Sequence, residues 1–139
     1  MTINYSTARE HPLVTDELIE QRVSDLVGRA CRRQLWLLFL DENDVQLPLL
    51  MPTDDFATRP DPAYVEALVR GIKAVMETAG AVQLIVVWER YSGPELTPLD
   101  KAWARDVGAG CAREGVLVRA QLLSYKRGVR WIAPDDYLA

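Results

Sequence analysis

Histidine is almost missing from this sequence: His11 is the one histidine in 139 residues. A Ser-His-Asp relay needs a histidine among its reacting groups, and many zinc sites need two, so the chain beyond residue 11 is closed to both chemistries. Cysteine is nearly as scarce. Cys31 and Cys111 stand far apart and outside any C-x-x-C spacing. That pattern argues against a disulfide framework or a zinc knuckle and predicts two ordinary buried helix thiols in a reducing compartment. Long apolar runs are missing too. The longest, Leu35 to Leu40 and Leu84 to Trp88, fall far short of the roughly 20 residues a membrane helix needs. Residues 1–12 carry Arg9 and Glu10 and no apolar core of the kind an export signal has. A cytoplasmic protein with no membrane partner is the expectation.

What is present suits one globular domain. The chain is 49% hydrophobic and 26% charged, with a formal net charge of −4. A chain of this length buries about 68% of the surface its unfolded form exposes, enough to build a core without disulfides or a structural metal. Residues 1–14 are polar and read as a flexible arm, and residues 15–139 as a single domain. Nothing in the composition calls for a cofactor.

Hydrophobic periodicity supplies the element order. Ile19, Val23, Leu26, Val27 and Ala30 recur at helical spacing from Thr15 to about Arg32, with Asp16 and Glu17 at the start and Arg29, Arg32 and Arg33 at the end, as the helix dipole prefers. Gln34 to Leu40 is a nearly continuous apolar run closed by Asp41-Glu42-Asn43-Asp44. Val45 to Met51 is a second run whose Pro48 predicts an edge strand or a bulge, and Pro52 to Pro60 reads as a loop. Asp61, Pro62 and Gly80 bracket a helix with the stripe Val65, Leu68, Val69, Ile72, Val75, Met76 and Ala79. Ala81 to Trp88 is β-branched and apolar on both faces, as a central strand covered on both sides requires. After the turn Glu89 to Leu96, Thr97-Pro98-Leu99-Asp100 opens a helix striped by Leu99, Trp103, Val107 and Cys111 and closed by Gly115. Val116 to Tyr125, the turn Lys126-Arg127-Gly128 and Val129 to Ile132 finish the chain as a hairpin. The order predicts an α/β (α+β) fold, a mixed sheet of about five strands sandwiched by helices.

The segment from Ala81 to Asp106 resembles the RadC proteins, within the JAB/MPN metalloprotease-like superfamily. That family carries an apolar strand ending in His-Asn-His-Pro-Ser-Gly, a Pro-rich turn, and Ser-x-x-Asp opening a helix. Here Leu84-Ile85-Val86-Val87 is followed by Trp88-Glu89-Arg90-Tyr91-Ser92-Gly93, Pro94-Glu95-Leu96 and Thr97-Pro98-Leu99-Asp100. Ser92-Gly93 matches the family's Ser-Gly, and Thr97 with Asp100 matches its Ser-x-x-Asp; the likeness in element order extends over Gln34 to Ile132. The resemblance implies a JAB/cytidine-deaminase-like architecture. It also implies a zinc held by two histidines and the aspartate, a serine supporting the oxyanion, and a glutamate on an early strand as acid/base. The chain departs from that pattern where the chemistry lies. Trp88 and Arg90 occupy the histidine positions, the turn before Thr97 is one residue short, and the early glutamate, Glu42, falls in a turn. An indole cannot ligate zinc and a guanidinium would repel it. The metal chemistry the resemblance implies would therefore be gone.

Trp88, Glu89, Arg90, Thr97 and Asp100 would form a non-catalytic binding surface on the turn from Trp88 to Asp100, for a protein partner or a second copy of the chain. Packing of Trp88 beneath the turn, pairing of Arg90 with Glu89 or Glu95, and capping of the helix by Thr97 and Asp100 are the structural alternative. Glu89 and Asp100 together would offer carboxylate chemistry for a hydrolase. The basic hairpin, with Arg119, Lys126, Arg127 and Arg130 beside Tyr125 and Trp131, would suit nucleic acid, although edge strands also carry such charges to block association. Asp54-Asp55 is too small a ligand set for magnesium and reads as a solvated loop face.

Overall fold

In the computed structural model, which describes residues 10–53, 59–134 and 136, the elements run α1 (Asp16–Leu26), β1 (Gln34–Leu40), β2 (Gln46–Thr53), α2 (Pro62–Ala79), β3 (Gln83–Glu89), α3 (Pro98–Arg113), β4 (Val118–Tyr125) and β5 (Gly128–Trp131). The five strands form one mixed sheet in the order β2-β1-β3-β4-β5. β3 and β4 are parallel and the other three pairs antiparallel. This is the α/β architecture expected from the alternation of strand and helix patterns.

Two cores follow from strand alternation. Along β1 and β3, Leu35, Leu37, Phe39, Leu84, Val86 and Trp88 face α2 and α3. Leu38, Leu40, Ile85 and Val87 face the other way, toward α1 and Leu13. Every residue of β3 is buried, which explains why its sequence is apolar on both faces. The α2–α3 contact is close: a Cβ on Gly110 would stand 3.1 Å from Val69 Cγ2.

Local chemistry sets the boundaries. Asp61 Oδ2 accepts from Tyr64 N, Pro62 opens α2, and Gly80 closes it in the left-handed conformation, φ 75°. In the β1–β2 turn, Asp41 Oδ1 accepts from Asn43 N and Val45 N at 2.8 and 3.1 Å. That brace accompanies the positive φ of Asp44, 62°. Pro48 does sit on an edge strand.

Several expectations are corrected. The first helix stops at Leu26, because Gly28 (φ 67°) turns the chain out of helical geometry. Arg29, Arg32 and Arg33 therefore belong to a linking segment, as does Cys31, which is exposed; Cys111 is the buried helix thiol. Residues 10–14 are not a loose arm: Leu13 is buried and its N–H donates to Asp44 O. Arg22 secures this stretch, donating to His11 O at 2.8 Å and to Gln46 Oε1 at 2.7 Å. β2 runs on to Thr53, two residues past Met51. Residues 1–9 of the arm and the pair Asp54-Asp55 lie outside the described residues.

Phe39 is completely buried between β1 and the α2–α3 layer. Phe39→Ala is expected to destabilise the fold by about 3–5 kcal/mol through lost apolar transfer and the cavity left behind. Urea unfolding followed by tryptophan fluorescence measures it.

Candidate functional site

The carboxyl end of β3 is where the candidate residues meet the rest of the molecule. Strand alternation sends Trp88 and Arg90 toward α3 and Glu89 toward α1. Trp88 is 7% exposed. Its Nε1 donates to Gln121 Oε1 at 2.8 Å, and Gln121 donates in turn to Ala104 O at 3.0 Å. The indole also lies 5.8 Å from the Trp103 ring. Trp88 is thus a core residue with its polar atom satisfied, and it is not part of an exposed recognition surface.

Arg90 organises the turn that follows. Its Nε donates to both oxygens of Asp100, at 3.0 and 2.9 Å, and its terminal nitrogens donate to the backbone carbonyls of Gly93 and Glu95. Asp100 Oδ2 also accepts from Thr97 N at 2.8 Å, while Thr97 Oγ1 accepts from Asp100 N at 3.1 Å. The capping box read from the sequence is therefore present, with a guanidinium added to it. The partner of Arg90 is Asp100, not the carboxylate of Glu89 or Glu95. Ser92 Oγ, matched by resemblance to the oxyanion serine, is buried and has no hydrogen-bond partner among the described residues. A cleft of about 170 Å³ remains, bordered by Arg33, Trp88, Arg90, Trp103 and by both Glu89 and Asp100.

Glu89 is only 4% exposed. One of its oxygens accepts from Cys31 N at 2.7 Å and Arg32 N at 3.1 Å, the other from Gln34 Nε2 at 2.7 Å and Trp36 Nε1 at 2.8 Å. Burial pushes this carboxyl up, but the four donors together outweigh burial and hold it below the ordinary carboxylate range. Its hydrogen bonding and its charge in turn push the exposed Cys31 thiol up, away from the thiolate a nucleophile needs. Burial pushes Cys111 up to about 11.

The carboxylate pairing of Glu89 with Asp100 is corrected by this geometry. Although both residues border the cleft, Glu89 leaves the end of β3 on the α1 face of the sheet while Asp100 stands in the first turn of α3 on the other face, and the oxygens of each are occupied by structural donors. Acid/base work on one substrate needs both groups within reach of the same atoms. Among the described residues, no three His, Cys, Asp or Glu side chains come together as a metal's ligand set would.

The hairpin cations do not form one patch either. Arg119, near the amino end of β4, pairs with Asp16 at 3.0 Å. Arg130 donates to Pro94 O at 2.9 Å and approaches Asp136 at 3.5 Å. Lys126 and Arg127 are exposed at the other end of β4, about 20 Å from Arg119 at strand rise. Sequence reasoning missed the arginines from 29 to 33, which the structure brings to the Lys126–Arg127 end. Gly28, just past the last apolar position of the helix, was the available signal.

Compared with protein-family models and with curated proteins, this chain matches none.

Glu89→Ala leaves four donors without their acceptor and is expected to cost about 3 kcal/mol or more. Because the folded-state carboxyl lies below its unfolded value, its contribution is present above the unfolded pKa and is lost as pH falls through the folded one. Stability measured across the acid range should therefore fall less steeply in Glu89→Gln than in the parent.

Proposed function

We propose that this chain is a non-catalytic binding domain, similar in frame to the RadC/JAB domains, that works by recognition at the carboxyl end of β3. The Arg90–Asp100 pair carries this reading. Where the resemblance calls for a metal-ligating histidine and aspartate, a guanidinium donates to both carboxylate oxygens, one of which also accepts the helix-capping bond from Thr97 N. Side chains of the pair are only 18% and 15% exposed. A buried charge pair of this kind is costly to break, since removal of one partner strands the other. The element order and the capping box directly after β3 support the likeness in frame. The occupied carboxylates of Glu89 and Asp100 support recognition over bond cleavage.

On this reading, the purified protein binds no stoichiometric zinc in metal analysis, and Arg90→Ala destabilises the fold by about 2 kcal/mol or more. One zinc per chain, lost in Asp100→Ala, would overturn it.

A further inference from the structure

Five exposed cations of this molecule are brought to one end by contacts that cross long sequence distances, while Arg70 and Arg105, on the helices, lie beside Glu66 and Asp106. Ala30 N donates to Tyr125 O at 2.8 Å and Ser124 Oγ to Gly28 O at 2.6 Å, which lays the linking segment over the end of β4. The bonds from Cys31 N and Arg32 N to Glu89 tie the same segment to the end of β3. Lys126 N donates to Ser92 O at 3.0 Å and Arg90 N to Ser124 O at 3.1 Å, which join the turn after β3 to the β4–β5 turn. The outcome is one continuous surface at the carboxyl ends of the two parallel strands, bearing Arg29, Arg32, Arg33, Lys126 and Arg127, all exposed.

Charge on this surface runs against that of the whole chain, which is −4. Of the acids described nearby, Glu89 is buried facing its own donors, while Asp100 and Asp136 face Arg90 and Arg130. Glu95, and Asp25 in the last turn of α1, are the exposed exceptions. Tyr91, 69% exposed, stands in the adjoining turn with its ring in solvent. The other exposed large hydrophobics lie elsewhere: Val14 and Leu18 at the start of α1, Val82 and Leu117 at the amino ends of β3 and β4. Cations with a lone aromatic and no exposed aliphatic side chain suit a polyanion with flat rings better than an apolar protein face or a lipid surface. Neighbouring strands are about 4.8 Å apart, so β1 to β5 present a face about 15 Å wide, enough for a few nucleotides of one strand.

We propose that this end of the sheet binds single-stranded nucleic acid, with the linking-segment and β4–β5 turn cations on the phosphates and Tyr91 stacked on a base. The proposal rests on the binding reading given above and names its partner.

Fluorescence anisotropy with a labelled oligothymidine or oligouridine of about 12 nucleotides tests it. Binding near 50 mM salt should weaken roughly 50- to 130-fold by 200 mM, as four or five neutralised phosphates require. Lys126→Glu with Arg127→Glu should weaken it at least about tenfold. Arg119→Gln, at the other end of β4, should leave it unchanged. Tyr91→Ala should cost about tenfold for the oligonucleotide and nothing for inorganic polyphosphate, which has no rings to stack. Circular dichroism confirms that each variant is folded. No binding at low salt, or binding indifferent to Lys126 and Arg127, would overturn the proposal. Equal affinity for polyglutamate, indifferent to Tyr91, would overturn it in favour of an acidic polypeptide. Either result in a protein without zinc removes the nucleic acid and leaves the binding reading standing; zinc held through Asp100 removes that reading as well.

Discussion

Four hydrogen bonds to one buried carboxylate, that of Glu89, hold the working end of this molecule together. Its donors come from the linking segment, through Cys31 N and Arg32 N, and from β1, through Gln34 and Trp36. A carboxylate removed from water is tolerated only when its lone pairs are satisfied, and this one is satisfied by one run of chain, residues 31–36, that crosses from the linking segment into β1. It thereby fixes where the chain passes from α1 into the sheet. The exposed arginines of that passage take their position from it.

On the other face of the same strand end, Arg90 plays the matching part. It holds Asp100 and the carbonyls of Gly93 and Glu95, so a turn that lacks regular backbone pairing is closed around one guanidinium. Beneath it Trp88 is anchored through Gln121 to the backbone of α3. A cluster such as this favours rigidity over reactivity, because both carboxylate oxygens of Asp100 already have donors, Ser92 Oγ being the polar atom of the turn without a partner among the described residues. That is the physical content of reading the site as one for recognition.

Much of the fold was legible in the sequence. Asp61-Pro62 with Gly80, and Thr97-Pro98 with Asp100, marked two helices at both kinds of boundary, since caps are local hydrogen bonds between near neighbours. β3 was legible as a central strand because both its faces are apolar. The end of α1 was misplaced: helical periodicity runs on through Ala30, whereas Gly28 had already turned the chain. The candidate site was read less well. Glu89 and Asp100 look like neighbours across a turn in sequence, yet the two-residue period of a strand turns Glu89 and Arg90 to opposite sides of the sheet, and Asp100, on α3, is held by Arg90. Arg90 found a carboxylate ten positions away instead of the adjacent ones.

The scarcity of histidine, the element order and the helix caps were determined by the sequence alone, since composition and bonds between near neighbours need no knowledge of the fold. The partners of Glu89, Trp88 and Arg90, the opposite facing of the two carboxylates, and the meeting of Arg29, Arg32 and Arg33 with Lys126 and Arg127 were decided by the tertiary structure. Those depend on which strands lie side by side. Pairing β3 with β4 brings residues from 28 to 127 to one sheet end, a juxtaposition that local pattern does not encode.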